Sequence, residues 1–193
     1  MRGAFYYLYM IIDIYSRKVV AAYVDSMESM EVAAELVLRT TQLEEIEDKL
    51  ILHADNGGPM KGSTMLATLH KLGVLASFSR PRVSDDNPFA EALFRTLKYR
   101  PGYPRKPFVS LQAAREWVAG FVAWYNNEHL HRAIRYVTPQ QRHDGLDAEM
   151  LKARHQVYED ARKRAPSRWT GNTRNWSHVG PVVLNPENHA LAS

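Results

Sequence analysis

The sequence contains no cysteine, which excludes disulfide bridges and zinc sites built from thiolates within its 193 residues. It also lacks an apolar run long enough to cross a membrane. The tyrosine-rich apolar stretch near the start ends at Asp13 and has no small-residue cleavage site. We therefore interpret this stretch as a buried strand and not as a signal peptide.

Charge of one sign is only slightly in excess. The net charge is +4 and the isoelectric point is about 9.3. This balance is compatible with a nucleic-acid partner but does not require one, because many basic proteins bind none. Hydrophobic residues at 45% and charged residues at 24% are ordinary for a globular protein that buries a core. The length suits one domain with an extension, or two small domains.

Apolar periodicity and turn residues predict four strands and five helices, in an order that implies a mixed sheet with helices against it. The predicted strands are 5–14, 19–24, 49–53 and 74–78, and the predicted helices are 29–43, 61–72, 88–99, 110–128 and 147–164. Strand 5–14 is almost continuously apolar, which is typical of a strand covered on both faces. Residues 100–107 hold three prolines and a glycine and are predicted to be a break. The domains are predicted as a core over 1–104, a helical part over 105–164 and a tryptophan-rich tail over 165–193.

Two acidic residues are candidates for a metal site. Asp55 follows a predicted strand and leads into a glycine turn, at the carboxyl end of the strand, where open sheets usually hold their sites. Glu91 lies in the first turn of a predicted helix. Mg²⁺ prefers oxygen ligands and is often held by one or two carboxylates together with substrate phosphates. Each residue also has a structural alternative, since Asp55 suits a turn and Glu91 suits the positive end of a helix dipole.

Two cations share the predicted helix face of Glu91. Arg95 lies four residues after Glu91 and Lys98 lies seven after it, and this spacing places all three side chains on one side of a helix. A cation beside a metal site is suited to hold a DNA phosphate. The alternative is that Arg95 and Lys98 only keep this face of the helix solvated.

The chain resembles bacterial insertion-sequence transposases that carry the retroviral-integrase type of catalytic core, which has a ribonuclease-H-like fold. The stretches that carry the resemblance keep their order and approximate spacing, and they are 12–20, 53–57, 78–81, 86–98, 124–127, 131–134 and 138–139. The resemblance implies a mixed sheet flanked by helices and followed by a helical C-terminal extension. The tail from Trp169 onwards looks like an extension found in some members.

The family uses an Asp-Asp-Glu triad, and the resemblance matches Asp55 to the second Asp and Glu91 to the Glu. The first Asp of the family lies on the strand before the one predicted over 5–14. We therefore expect this chain to begin after the first strand and to lack the first acidic ligand. Asp13 matches a different family position and is expected to be structural. His53 is expected to shape a turn.

The resemblance implies Mg²⁺- or Mn²⁺-dependent cleavage and strand transfer of DNA, with two ions once the triad is complete. It implies that Arg95 and Lys98 bind DNA phosphates. The expected partners are transposon ends, target DNA, further copies of the chain and a separate or fused helix-turn-helix segment. The expected location is the bacterial cytoplasm, at the nucleoid.

Two other functions remain open at this stage. One is an inactive, truncated transposase remnant that binds DNA or a transposase subunit. The other is a simple ribonuclease-H-like nuclease, which would not predict the transposase-like stretch from Tyr125 to Pro139. In the same stretch His129 and His131 could suggest a metal pair, but the family pattern makes His131 part of a packing motif.

Overall fold

The computed structural model describes residues 5–44, 50–80 and 86–184. These residues form two compact units. The first unit comprises the described parts of Met1–Ile12, Val20–Phe121 and Val183–Ser193, and the second comprises Asp13–Val19 and Val122–Val182. This division does not test the domain limits predicted at residues 104 and 164, which stay predictions. No described helix combines the length and the apolar character needed to cross a membrane.

Four strands form two separate two-stranded sheets. The strands are β1 (Tyr7–Ile12), β2 (Val19–Asp25), β3 (Ile51–Ala54) and β4 (Leu75–Phe78). β1 pairs with β2, and β3 pairs with β4. The second pair is parallel, with Ile51 opposite Leu75 and Ala54 opposite Phe78. The carboxyl ends of β3 and β4 therefore lie side by side. The predicted single sheet is divided in the described part of the chain.

The prediction that strand 5–14 is covered on both faces is wrong. Tyr7 is exposed and the other residues of β1 are only half-buried. The apolar core of this unit packs on one side of the strands, where Tyr9, Ile11 and Leu52 contact buried residues of the helices. Strand side chains alternate between faces, so Ile51 points away from this core and is 61% exposed.

The helices that lie in or begin in the first unit are α1 (Met30–Leu43), α2 (Gly58–Lys61), α3 (Ser63–Lys71), α4 (Pro88–Tyr99) and α5 (Leu111–Asn127). Two of them begin at serine side chains that act as caps. Ser29 caps α1 by accepting hydrogen bonds from the N–H groups of Glu31 and Val32. The Ser110 hydroxyl caps α5 by accepting a hydrogen bond from the N–H of Ala113.

The helix predicted over 61–72 is two helices with a break at Gly62. The backbone of Gly62 is extended, with ψ at 149°. A Cβ at this position would lie 2.7 Å from the sulfur of Met30, which is closer than packed atoms approach. A side chain at this position would have to displace the side chain of Met30 from α1, so glycine suits this corner. The extended backbone of Gly62 separates α2 from α3.

The second unit is built around α6 (Pro139–His143), α7 (Asp147–Arg164) and a short 3₁₀ helix at Arg132–Ile134. The Thr138 hydroxyl and the Gln141 side chain form a reciprocal capping box at the start of α6. The core contains Ile134, Val137 and Leu151, together with Trp176 from the tail. The tail therefore packs against α7, although its sequence has little periodicity.

Candidate functional site

Asp55 lies immediately after β3, with its side chain exposed to solvent. Its Oδ1 accepts a hydrogen bond from the N–H of Gly57 at 3.1 Å. A Cβ at Gly57 would lie 3.0 Å from this oxygen, so the glycine leaves room for the carboxylate above the turn. The Oδ2 atom accepts no hydrogen bond from the described residues. Asp55 therefore presents a carboxylate oxygen that is available to a ligand.

Glu91 lies in the first turn of α4, which begins at Pro88 after the cap residue Asn87. The fixed φ of proline suits this position, and the missing N–H is not needed there. The Glu91 carboxylate is exposed and forms no ion pair within the described residues. Arg95 and Lys98 follow on the same helix and are also exposed. Helix geometry thus places a free carboxylate and two cations on one face of α4.

Asp55, Glu91, Arg95 and Lys98 line a single open cleft of about 850 Å³ in the first unit. The remaining lining residues are Asn56, Ser79, Arg80, Asn87, Ala90, Phe94 and Tyr99. The cleft lies at the carboxyl ends of β3 and β4 and along one face of α4. The structure therefore brings together all four residues that the sequence singled out, while their chemical roles remain predictions.

An ion pair joins Asp86, just before α4, to Arg80, whose side chain is 68% exposed. Asp86 is 1% exposed. It accepts hydrogen bonds from the backbone N–H of Arg80 at 2.6 Å and from its guanidinium nitrogens Nη2 and Nε at 2.7 and 3.0 Å. No role for Asp86 was predicted from the sequence. An Arg and an Asp six residues apart around a polar loop were the available signal for this pair. The pair connects the end of β4 to the start of α4 and so positions Glu91.

Hydrogen bonds from Arg80 lower the pKa of Asp86 from its usual 3.8 to about 2. A carboxyl group whose pKa is lower in the folded state stabilises that state fully above the unfolded pKa. We expect this contribution to be complete above about pH 4 and to be lost as the pH falls through about 2. A carboxyl ¹³C NMR titration of Asp86 measures it, and Arg80→Gln should move the midpoint upward. A titration midpoint near pH 3.8 for Asp86 in the unchanged protein would show that Arg80 does not stabilise its carboxylate.

His53 joins the two parallel strands behind the cleft. Its Nδ1 lies 2.9 Å from the Ser77 hydroxyl and its Nε2 lies 3.5 Å from the Ser79 hydroxyl. The Asn56 amide donates to the carbonyl oxygen of Ser79 at 2.9 Å. Both ring nitrogens of His53 therefore have partners within the sheet. These contacts support the expectation that His53 shapes the turn.

Asp13 uses both carboxylate oxygens within its own loop. Oδ1 accepts from the N–H of Tyr15 at 3.0 Å, and Oδ2 accepts from the hydroxyl of Ser16 at 2.5 Å. Burial by itself would raise the pKa of Asp13, but the hydrogen bonds from Ser16 and Tyr15 outweigh it and lower the pKa. This arrangement supports the expectation that Asp13 is structural.

The histidines after α5 pack against aromatic rings. The ring of His129 stacks on Tyr125 at 5.4 Å, and His131 lies edge-on to Tyr125 at 6.4 Å. Burial, with smaller contributions from His129 and Arg17, lowers the pKa of His131 to about 4. His131 also caps the 3₁₀ helix by accepting from the N–H of Ala133. A packing role explains these contacts.

The donor set of the cleft fits a hard divalent cation. It offers two carboxylates, and Mg²⁺ commonly accepts that number together with water and substrate phosphate oxygens. Across residues 5–44, 50–80 and 86–184, no three His, Asp or Glu side chains lie close enough to enclose a metal ion. Arg95 and Lys98 in the same cleft favour an anionic substrate that would bring its own oxygen ligands.

Comparison with known proteins adds independent findings. Two family profiles, both described as an integrase core domain, match residues 1–84 and 72–139. The transposase for insertion sequence element IS904 of Lactococcus lactis subsp. lactis (strain IL1403) is 27% identical over 134 residues. The match covers 69% of this chain and 53% of that transposase, so the chain spans about half the length of this relative.

Two solved structures share the fold. The catalytic core domain of BIV integrase superposes with a TM-score of 0.52 and 21% identity, covering 78% of this chain and 89% of that one. A chain of the simian T-cell lymphotropic virus intasome, solved in complex with PP2A regulatory subunit B56 gamma, superposes with a TM-score of 0.53 and 17% identity. It matches 70% of this chain and 47% of the viral chain. These likenesses show a ribonuclease-H-like fold. Residues 1–139 therefore match the integrase core domain family, and the chain resembles the integrase-type catalytic core of an insertion-sequence transposase.

Proposed function

We propose that this chain catalyses divalent-metal-dependent cleavage and strand transfer of DNA in transposition. The observation that carries the proposal is the shared cleft, in which Asp55 and Glu91 lie with Arg95 and Lys98. Carboxylates that bind a cation and cations that bind phosphates are the two components that phosphoryl transfer on DNA requires. The match to the integrase core domain family supports DNA integration or transposition at the level of the family.

Asp55 and Glu91 would hold Mg²⁺ or Mn²⁺. When bound, such ions activate the attacking oxygen and stabilise the leaving oxygen. Arg95 and Lys98 bind the phosphates that flank the scissile bond and keep the strand in the cleft. The Arg80–Asp86 pair keeps the start of α4, and with it Glu91, in place relative to the end of β4. The family resemblance assigns a third carboxylate to a strand that precedes β1.

The proposed partners follow from this activity. They are transposon ends, target DNA, further copies of the chain and a helix-turn-helix segment that reads the ends of the element. The structural relative from simian T-cell lymphotropic virus was solved as an intasome, which is compatible with a multimeric assembly on DNA. We propose that the protein acts in the bacterial cytoplasm at the nucleoid.

The direct test measures the joining of labelled transposon ends to a target duplex in Mg²⁺ or Mn²⁺, with EDTA as the metal-free control. Metal-dependent joined products support the proposal. Cleavage without joining would instead indicate a simple ribonuclease-H-like nuclease. Binding of DNA or of a transposase subunit without any reaction, even after the upstream strand is added, would indicate the inactive remnant.

Removing the charge of Arg95 or Lys98 is expected to weaken DNA binding equally for all sequences. Each lost phosphate contact should flatten the dependence of log K on log salt by a slope of about 0.9. Fluorescence anisotropy with two unrelated duplexes, measured over a range of salt concentrations, tests Arg95→Gln and Lys98→Gln. Lys71→Gln, an exposed lysine of the first unit that does not line the cleft, is the matched control. An effect confined to one base position would contradict a phosphate contact.

A further inference from the structure

The second unit contains a separate pocket of about 330 Å³, formed between α7 and the tail. We call it the tail pocket. Helix α7 contributes Lys152 and His155, and the tail contributes Arg174, Trp176 and His178. No function was predicted for these residues from the sequence, and most of them lie after the stretches that carry the family resemblance. The tail pocket is therefore not part of the cleft that holds Asp55 and Glu91.

The lining of the tail pocket is basic and contains no carboxylate. Lys152 and Arg174 are exposed and form no ion pair within the described residues. Two carboxylates of this unit have partners of their own: Asp147 contacts His178 at 3.1 Å, and Glu159 accepts from the Thr173 hydroxyl at 2.9 Å. The pocket thus presents two uncompensated positive charges beside polar side chains, which is an environment suited to an anion.

Arg154 and Arg174, two arginines of this unit, differ in their hydrogen bonds. Arg154 donates to the carbonyl oxygens of Arg135 and Tyr136, at 2.8 and 3.3 Å, and its guanidinium lies 4.9 Å from the centre of the Trp176 ring. Arg174 contacts only ring faces, at 5.3 Å from Tyr136 and 5.7 Å from Trp176. Its guanidinium N–H groups donate no hydrogen bond within the described residues.

A second, independent observation concerns Trp176, which is 6% exposed and lines the tail pocket. Its indole Nε1 is buried and has no hydrogen-bond partner among the described residues. Leaving a buried donor unpaired is unfavourable, so such a group indicates an absent acceptor. Tyr158, whose ring centre lies 5.3 Å from that of Trp176, helps to hold the indole in place. Trp176 thus lines the same pocket as the cations of Lys152 and Arg174.

We propose that the tail pocket binds the phosphodiester backbone of DNA and gives the chain a second DNA contact, independent of sequence. The proposal rests on the proposed function in taking DNA as the partner. Lys152 and Arg174 pair with the non-bridging phosphate oxygens, and the short polar side chains of Thr173, Asn175 and Ser177 supply further hydrogen bonds. Contacts of this kind fix the position of a duplex without reading its bases.

The test compares two double variants that each remove two positive charges from the second unit. Lys152→Gln with Arg174→Gln changes the tail pocket, whereas Lys163→Gln with Arg168→Gln changes exposed cations outside it. The pocket variant should raise the dissociation constant for an arbitrary duplex about ten- to a hundredfold near 0.1 M salt and flatten the salt slope by about 1.8. The control variant should change the constant less than about threefold. Circular dichroism and thermal unfolding confirm that both variants fold.

Cross-linking locates the contact without any substitution. A duplex carrying 5-bromodeoxyuridine is irradiated with the unchanged full chain, and tryptic fragments are analysed by mass spectrometry. We expect cross-links in the fragments 169–174 or 175–193. Inorganic phosphate is titrated separately, with Trp176→Phe identifying the fluorescence signal of this tryptophan. Occupation by phosphate together with unchanged DNA affinity of the pocket variant would overturn the proposal in favour of a small-anion site.

The failure of this proposal is distinguishable from failure of the proposed function. Equal loss of affinity in both double variants, or no loss in either, would overturn the tail pocket as a DNA site. It would leave the cleft untouched if Mn²⁺ still binds and the binding depends on Asp55 and Glu91. Conversely, affinity lost only in the pocket variant, with no Mn²⁺ bound at Asp55 and Glu91, would retain the pocket and refute the metal-dependent activity.

Discussion

Replacing Asp55 with asparagine or Glu91 with glutamine is expected to abolish strand transfer while leaving DNA binding almost unchanged. Both substitutions keep the size of the side chain and remove only its charge. Metal ions contribute several kcal/mol of transition-state stabilisation, and each 1.36 kcal/mol corresponds to a factor of ten in rate. We therefore expect the rate to fall at least about a thousandfold. DNA affinity should persist, because Arg95 and Lys98 remain.

The measurement is the joining of labelled ends in Mg²⁺ or Mn²⁺ by the full-length protein. Glu28→Gln, at an exposed carboxylate of the same unit, is the matched control and should join normally. Mn²⁺ binding, followed by electron paramagnetic resonance, should weaken in both cleft variants even in residues 1–193. Joining at close to the normal rate by Asp55→Asn or Glu91→Gln would remove that residue from the active site.

Residues 1–193 on their own are expected to join labelled ends poorly, because Asp55 and Glu91 are the two carboxylates that line the cleft. Two carboxylates bind Mg²⁺ weakly and do not hold two ions in the geometry that clamps both reacting oxygens. Robust joining by the short chain would mean that a carboxylate inside it completes the triad, with Asp13 the leading candidate. The present interpretation of Asp13, whose oxygens bind Tyr15 and Ser16, would then be wrong.

Arg142→Met is expected to destabilise the second unit by about 3–5 kcal/mol, because it leaves the buried carboxylate of Asp147 with only the partly exposed His178 as an ion-pair partner. The side chain of Arg142 is 0% exposed and that of Asp147 is 2% exposed. The same guanidinium donates to the carbonyl oxygens of Tyr15 at 2.8 Å and Val179 at 2.7 Å. The buried guanidinium of Arg142, a residue of α6, therefore contacts the loop after β1, the tail and the first residue of α7.

Urea unfolding followed by hydrogen exchange at residues 122–182 measures the loss. Lys163→Met, at an exposed lysine of the same unit, should change the free energy of unfolding by less than about 0.5 kcal/mol. Combining Arg142→Met with Asp147→Leu should recover part of the loss, since removing both partners leaves no buried charge. A loss below about 1 kcal/mol for Arg142→Met alone would show that water reaches the pair.

Features that depend on neighbouring residues along the chain were predictable. The helix predicted over 88–99 is α4, and the helix predicted over 147–164 is α7. Their limits follow from local signals, namely proline in a first turn and apolar residues at helical spacing. The candidate site was predictable for a similar reason. Asp55 ends a strand and Glu91 begins a helix, and both positions are marked by the turn residues beside them.

Features that depend on contacts between distant residues were not predictable. Gly62 lies against the side chain of Met30 from another helix, and the exposure of Ile51 results from a core that packs on one side of its strand. The network of Arg142 reaches Tyr15, 127 residues away in sequence, and Val179, 37 residues away. A local sequence pattern does not indicate which distant group neutralises a buried charge.

The sequence by itself determined which residues have the chemistry for the site, because side-chain type, helix spacing and strand ends are local properties. Only the tertiary structure decided that Asp55, Glu91, Arg95 and Lys98 share one cleft. The shared cleft depends on the parallel pairing of β3 with β4 and on the ion pair between Arg80, after β4, and Asp86, before α4. The tertiary structure likewise decided that the tail packs on α7 and buries Trp176, because packing free energy depends on which surfaces meet and not on their order along the chain.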